Sequence, residues 1–458
     1  MRNNNDSVFR DAPIPKAVAQ MAVPTMLSML VVVLYNMVDT FFVGQTGDAN
    51  QVAAVSVATP VFLILMAFGN MFGIGGSSLI SRLLGAGESD RAKKVSAFCC
   101  YGSLIWGVIM IFVFLAAMPF ILSVIGTSEY TIDYAHDYLF WISLGAPFII
   151  FANGFCNLIR GEGAATASMI GNMVGTVVNI ILDPIMILAL GWGVKGAAIA
   201  TVIGNICACF FYLFYFLRGK TVLSIHPRDF AVRGIIGGVI AIGLPASLNN
   251  ILMSLSNILL NKYLAGYGDN AVAGMGVAMK ANMLVVFVQL GLAMGVQPLI
   301  GFAYGANNIH RVRGVVNFSA ICTTIMGVIL TVIYWFTADS IISIFIDDAA
   351  VIEAGVPMLR ALMFSAPVLG IMFVLQNALQ AMGRAAAALV LAVSRQGFIF
   401  VPCVIIAGAY LGMTGINREA LGSIIFSQPV ADLFSVVMSI VMFIVIARRL
   451  SHTSEAKA

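Results

Sequence analysis

Charge is scarce in this chain: Asp, Glu, Lys and Arg make up 10% of 458 residues, where a soluble domain carries about 25%. Too few polar side chains are present to clothe a water-facing surface, which excludes a soluble globular protein. Histidine is scarcer still, with four scattered copies, so no clustered metal-ligand set is available. The seven cysteines (Cys99, Cys100, Cys156, Cys207, Cys209, Cys322, Cys403) lie inside apolar runs without a Cys-x-x-Cys pair. They read as buried thiols rather than redox or metal groups. No P-loop and no Gly-x-Ser-x-Gly motif occurs, which leaves ATP-driven pumping and hydrolase chemistry without a footing. The chain therefore reads as a non-enzyme that needs no cofactor. Its net charge of +4 is accounted for by loops and calls for no nucleic-acid partner.

What is there is apolar. Hydrophobic residues make up 60% of the chain, gathered in runs of about 20 residues or more, the length that crosses a ~30 Å hydrocarbon core. Twelve runs are legible, at roughly 17–43, 52–81, 95–117, 134–159, 165–190, 196–217, 234–261, 271–302, 314–337, 354–380, 387–411 and 421–447. Numbered spans 1 to 12, they predict an all-α integral membrane protein. The first run follows a polar stretch, lacks a clear cleavage site and is too long for a signal-peptide core, so it reads as an uncleaved span.

The second half repeats the first at an offset close to 220 residues. Val52-Ala53 matches Val272-Ala273, Gly85-Ala86 matches Gly305-Ala306, Arg91 matches Arg311, and Ala146-Pro147 matches Ala366-Pro367. Asn157 matches Asn377, Gly163 matches Gly383, and Pro24 pairs with Pro245 after one residue of slippage. Six spans per half bring the chain back to its starting side, so the repeats are parallel, and a solute site between repeats is the usual consequence. The expected division is an N-terminal six-helix lobe at 1–217, a cytoplasmic linker at 218–233 and a C-terminal six-helix lobe at 234–458. Basic residues support this topology: nineteen fall on the side of the N-terminus, Arg395 counted among them, against three (Lys195, Lys262, Arg418) on the other. By the positive-inside rule both termini are cytoplasmic.

Ionisable groups within spans are functional candidates because each costs at least ~2.5–3.5 kcal/mol to insert. Asp39 and Asp183 lie about five and seven residues before the outer ends of spans 1 and 5, or ~7 and ~10 Å deep at 1.5 Å per residue. Asn179 is one turn from Asp183 and shares its face; Thr201 of span 6 offers a hydroxyl at similar depth. Snorkelling to the headgroups is hard for such short side chains from two turns down. A closed, oxygen-lined pocket is the sharper reading: desolvation and like charge favour neutralisation by a proton, and the same oxygens suit Na⁺. The residues leave that choice open.

Pro24 and Pro184 are hinge or kink candidates. The repeat breaks at the acids: Asp39 falls on Leu259 and Asp183 on Cys403, and spans 7 and 11 contain no acid. Asn250, Asn257 and Asn261 instead line one face of span 7. Together with Asn36, Asn157 and Asp432 of span 12 they are the candidate substrate-cavity residues; Lys280 and Arg360 are the candidate partners of Asp432 in a structural ion pair, with snorkelling the alternative for Arg360.

With these residues in view, the chain resembles the multidrug and toxic compound extrusion (MATE) family over nearly its whole length, and its bacterial MepA-like branch most. The resemblance rests on Pro24 with YNMVDTFFVG, on GNMFGIGGSSLISRLLGAG, on APF before IRGEGAA, on NIILDPIMI, and on the echoes QPLIGFAYGA and LQAMGR. It implies two six-helix lobes forming a V, and antiport of amphipathic, often cationic, small molecules against H⁺ or Na⁺ by a monomer in the bacterial cytoplasmic membrane. It also carries the family's first-lobe cation site to Asp39, Asn179, Asp183 and Thr201. NorM-like relatives use an acid in span 7, which this chain lacks. The rival readings are a flippase for lipid-linked precursors, a channel, and a membrane enzyme.

Overall fold

The computed structural model describes residues 8–125, 127–219, 221–346, 348–414 and 418–455; of the basic residues counted above, Arg2, Lys220 and Lys457 lie outside them. Among the described residues the chain is helical and contains no strand, the arrangement that lets every backbone group in hydrocarbon find its partner within its own segment. Among the described residues ten helical stretches are long and apolar enough to cross a membrane unaided: Ile14–Gly44, Asn50–Gly85, Ser89–Ala116, Ala165–Ala189, Gly193–Leu217, Ile236–Leu264, Asn270–Gly305, Ile309–Phe345, Ala385–Ala409 and Ile424–Arg448. Two helix pairs, Ile132–Leu144 with Ala146–Gly161 and Ala349–Met363 with Ala366–Ala381, bend by 59° and 50°. Taken as spans 4 and 10, they complete the twelve expected from the apolar runs. Both bends fall just before the repeated Ala-Pro pair, where proline opens a new helix because its missing N–H costs nothing at the first turn.

The chain divides into two compact units, and each helix that changes unit does so two residues after a proline. Unit 1 comprises residues 1–12 and 27–247; unit 2 comprises 13–26 and 248–458. Span 1 passes between them just after Pro24, and span 7 just after Pro245. Within unit 1, glycines bring span 2 against the start of span 7: Gly75 meets the Val239 backbone, Gly243 meets that of Met71, and Ser247 Oγ donates to Ala67 O at 2.6 Å. Within unit 2, Gly291 and Gly295 of span 8 lie against Met26 and Ala22 of span 1. A Cβ at these glycines would overlap the facing backbone, so glycine is what permits the approach.

The repeat is visible in packing as well as sequence. A Cβ on Gly107 of span 3 would overlap Pro147 of span 4; a Cβ on Gly327 of span 9 would overlap Ala366 and Pro367 of span 10. The fifth span of each half also departs from α geometry. Span 5 is α-helical to Asp183 and π-helical over Pro184–Ala189, with Leu190 N donating to Ile185 O at 2.9 Å. Span 11 is π-helical over Ser394–Phe400, just ahead of Pro402. In span 11 the wider turn includes Phe398, whose carbonyl, four residues back, the Pro402 ring would otherwise strike; in span 5 the wider turn follows the proline.

The polar segment after span 6 is packed onto unit 1. Glu162, 4% exposed, accepts from Tyr215 Oη and Thr221 Oγ1 at 2.6 Å each and from Val222 N at 3.1 Å. Ser224 N donates to Ser96 Oγ at 2.9 Å and Tyr101 Oη to Ile225 O at 3.0 Å. Phe230 closes the contact, with its ring centroid 6.3 Å from Phe98 and 5.6 Å from Tyr101. Burial pushes the Glu162 carboxyl above the usual carboxylate range, against the opposing pull of the hydrogen bonds it accepts.

Candidate functional site

Span 5 sets the site. Asp183 is its last α-helical residue and is fully buried. One turn earlier, Asn179 points the same way: its Nδ2 lies 3.5 Å from Asp183 Oδ1 and 3.4 Å from Thr201 Oγ1 of span 6. With the amide turned over, Nδ2 reaches Asp183 Oδ2 at 3.3 Å and the amide oxygen accepts from Thr201 N at 3.0 Å. Either way the amide bridges the carboxylate to span 6. Close approach of spans 5 and 6 is set by Gly175 and Gly204, where a Cβ on Gly204 would strike the Gly175 carbonyl.

Span 1 brings the second acid. Asp39 lies close enough to Asp183 for the two carboxylates to interact electrostatically. Its Oδ1 is buried and makes no hydrogen bond, and neither acid belongs to an ion pair among the described residues. Two phenols complete the constellation. Tyr35 Oη lies 3.2 Å from Thr201 Oγ1 and joins span 1 to span 6, while Tyr138 of span 4 lies within electrostatic reach of both acids. Sequence reasoning missed both. Tyr35 was open to detection, one helical turn before Asp39; Tyr138 carries no local signal.

The structure brings together Asp39, Asn179, Asp183 and Thr201. Pro184 opens the π-helical segment beside Asp183, and Pro24 lies within an unbroken helix. Asn36 is exposed, and its Nδ2 donates to Val32 O at 2.8 Å. Asn157 is buried, donates to Asn153 O at 2.9 Å and packs beside Gly73. In unit 2, Asn250 and Asn257 are half-buried and Asn261 is exposed.

Asp432 pairs with neither of the candidate partners read from the sequence. Its partner is Arg395, whose Nε donates to Asp432 Oδ1 at 2.9 Å, not Lys280 or Arg360. Lys280 is exposed, and Arg360 lies 3.5 Å from Asp339 and over the Trp335 ring. Ser365 Oγ, at the bend of span 10, and Gln428 Nε2 also serve Asp432, at 2.9 and 2.8 Å. Arg395, counted above with the cytoplasmic basic residues, is 9% exposed inside span 11. The π turn and a distant acid hold it there. Among the described residues no group of three or more His, Cys, Asp or Glu could hold a metal ion as a cluster.

The MatE family model matches twice in tandem, over residues 24–185 and 245–406, starting at the two prolines where spans 1 and 7 change unit. The chain belongs to the MatE family. Curated MatE relatives include the multidrug export protein MepA of Staphylococcus saprophyticus, 33% identical over 419 residues, which are 91% of this chain and 92% of that protein. MepA of Staphylococcus aureus (strain N315) is 33% identical over 417 residues, with the same coverage of 91% and 92%. Among solved structures, the outward-facing conformation of a multidrug resistance MATE family transporter of the MOP superfamily superposes with a TM-score of 0.92 at 26% identity, covering 99% of this chain and 100% of that one. A multi-pass MatE transporter is thus the frame into which the buried acids fit.

Proposed function

We propose that this protein exports amphipathic, often cationic, small molecules from the bacterial cytoplasm in exchange for H⁺ or Na⁺, and that Asp39 and Asp183 bind the exchanged cation. Relatives named as multidrug export proteins support the substrate class. The carrying observation for the exchange is the interacting pair of acids, Asp183 fully buried and Asp39 with its Oδ1 buried and without a donor, neither bonded to a cationic side chain among the described residues. Two carboxylates removed from water require compensating positive charge. A proton or Na⁺ supplies it, with Asn179, Thr201 and Tyr35 as neutral oxygen and amide neighbours.

The cation enters from outside, binds the acids and repacks span 1 around the Tyr35–Thr201 contact, which lowers affinity for the exported compound. Its release to the cytoplasm resets the transporter. One charge crossing 100 mV supplies ~2.3 kcal/mol, worth more than a tenfold substrate gradient, so ATP is unnecessary. The reading places both termini in the cytoplasm, lobes at 1–217 and 234–458 joined by the 218–233 linker, and a monomer in the lipid bilayer. Purified protein in proteoliposomes tests it: dye export appears under an imposed H⁺ gradient or an imposed Na⁺ gradient, and the gradient that works identifies the ion. Equal export with no gradient overturns antiport.

A further inference from the structure

Spans 7 and 11 carry no acid; among the described residues the buried charged side chains of unit 2 are Arg395 and Asp432. Arg395 lies ten residues into the membrane-crossing stretch Ala385–Ala409, and Asp432 eight residues into Ile424–Arg448, so they sit ~15 and ~12 Å from the starts of those stretches. Charge at that depth is expensive and marks functional sites. The bonding within the pair is lopsided. Asp432 is served by three donors, two of them the neutral Ser365 and Gln428 side chains. Arg395 spends only its Nε. Its two terminal amino groups have no hydrogen-bond partner among the described residues, and 11% of the side chain remains accessible. The guanidinium carbon lies over the Phe373 ring, 5.5 Å from its centroid.

A pair kept for stability alone gains most from two parallel N–H···O bonds between fork and carboxylate, and buried ion pairs are often replaceable by apolar residues at no loss. Here the carboxylate takes the back of the guanidinium and leaves the forked edge open. We propose that Arg395 is a substrate-recognition residue that binds a carboxylate on amphipathic zwitterionic or anionic compounds, and that Asp432 is its positioning residue. The proposal rests on the export reading above and gives unit 2 a task distinct from cation binding. A planar carboxylate meets the two free amino groups side by side, a geometry in which lysine cannot replace arginine.

The test uses full-length protein in proteoliposomes and two probes that differ in one group: a rhodamine ethyl ester, which is cationic, and the same rhodamine as its free carboxylate. The readout is the ratio of their export rates. In the Arg395→Gln/Asp432→Asn double variant, which removes both charges together, the carboxylate-to-ester ratio falls at least ~10-fold, the loss of a charge-assisted bond worth about 1.5–3 kcal/mol. Asp432→Asn alone keeps the guanidinium and lowers the ratio less. If the double variant does not insert as a monodisperse protein, Arg395→Lys serves instead: it keeps the charge, loses the fork and raises the carboxylate dye's KM relative to the ester's. An unchanged ratio in the double variant, or in Arg395→Lys when that is the variant used, overturns the proposal, as does wild-type protein that exports only the ester. Wild-type protein that exports neither dye overturns the export reading itself.

Discussion

The fifth helix of each repeat breaks into a π turn beside a charged residue, but the charges have opposite sign. In span 5, Asp183 precedes Pro184–Ala189; in span 11, Arg395 sits within Ser394–Phe400. Around Asp183 the neighbours are a second acid, an amide, a threonine hydroxyl and two phenols. Around Arg395 the decisive neighbour is Asp432, held also by Ser365 and Gln428. One scaffold therefore leaves a negative charge open in unit 1 and closes the balance internally in unit 2. On the export reading proposed above, the exchanged cation acts where that balance is open.

The comparison breaks most visibly if the acids of unit 1 are neutralised. Asp39→Asn and Asp183→Asn each abolish gradient-driven dye export while the protein remains in the membrane; wild-type export by both variants removes the assignment of the open charge. Next in size is Arg395→Gln alone, which strands Asp432 as a lone buried carboxylate. Loss of one member of a buried pair costs about 3–5 kcal/mol, so the detergent-solubilised variant melts well below wild type. An unchanged melting temperature means that Ser365 and Gln428 suffice for Asp432.

Gly107→Ala and Gly327→Ala probe what the units share. Each new methyl group meets the opening of the following bent helix, at a cost of about 1–3 kcal/mol, and the two shifts in thermal stability are similar. Damage at only one site shows that the repeat no longer packs alike. The smallest effect belongs to Glu162, which lies outside the spans. Burial raises its carboxyl, opposed by the bonds from Thr221, Tyr215 and Val222, so the docked segment binds a proton more tightly than the undocked one. Docking is therefore strongest below the undocked carboxyl's ordinary range and weakens as pH rises through the raised one. Protection of the Val222 amide against hydrogen exchange, corrected for its intrinsic rate, declines with pH in the wild type and is flat in Glu162→Gln.

Much of the fold was legible because bilayer thickness forces long apolar runs, and twelve runs mapped onto ten helices and two bent pairs. The bends themselves were hidden inside continuous apolar sequence, although Pro147 and Pro367 stand within three residues of them. Helical arithmetic could pair Asn179 with Asp183 because they share a helix. It could not find Tyr138, nor bring Arg395 to a partner 37 residues away, because an inter-helix contact leaves no periodicity behind. Arg395 was also disguised by the π turn, which inserts an extra residue and shifts the register of the face.

The trade of half-helices between spans 1 and 7 bears on how the protein is made. Residues 13–26 are made well before the rest of the core they join, which is built from residue 248 onward, and unit 1 in turn waits for residues up to 247. Neither core can be completed by its own repeat. A chain cut at the linker yields two fragments that must be produced together to fold, and a half-length ancestor would have needed a second copy of itself to supply the missing turns.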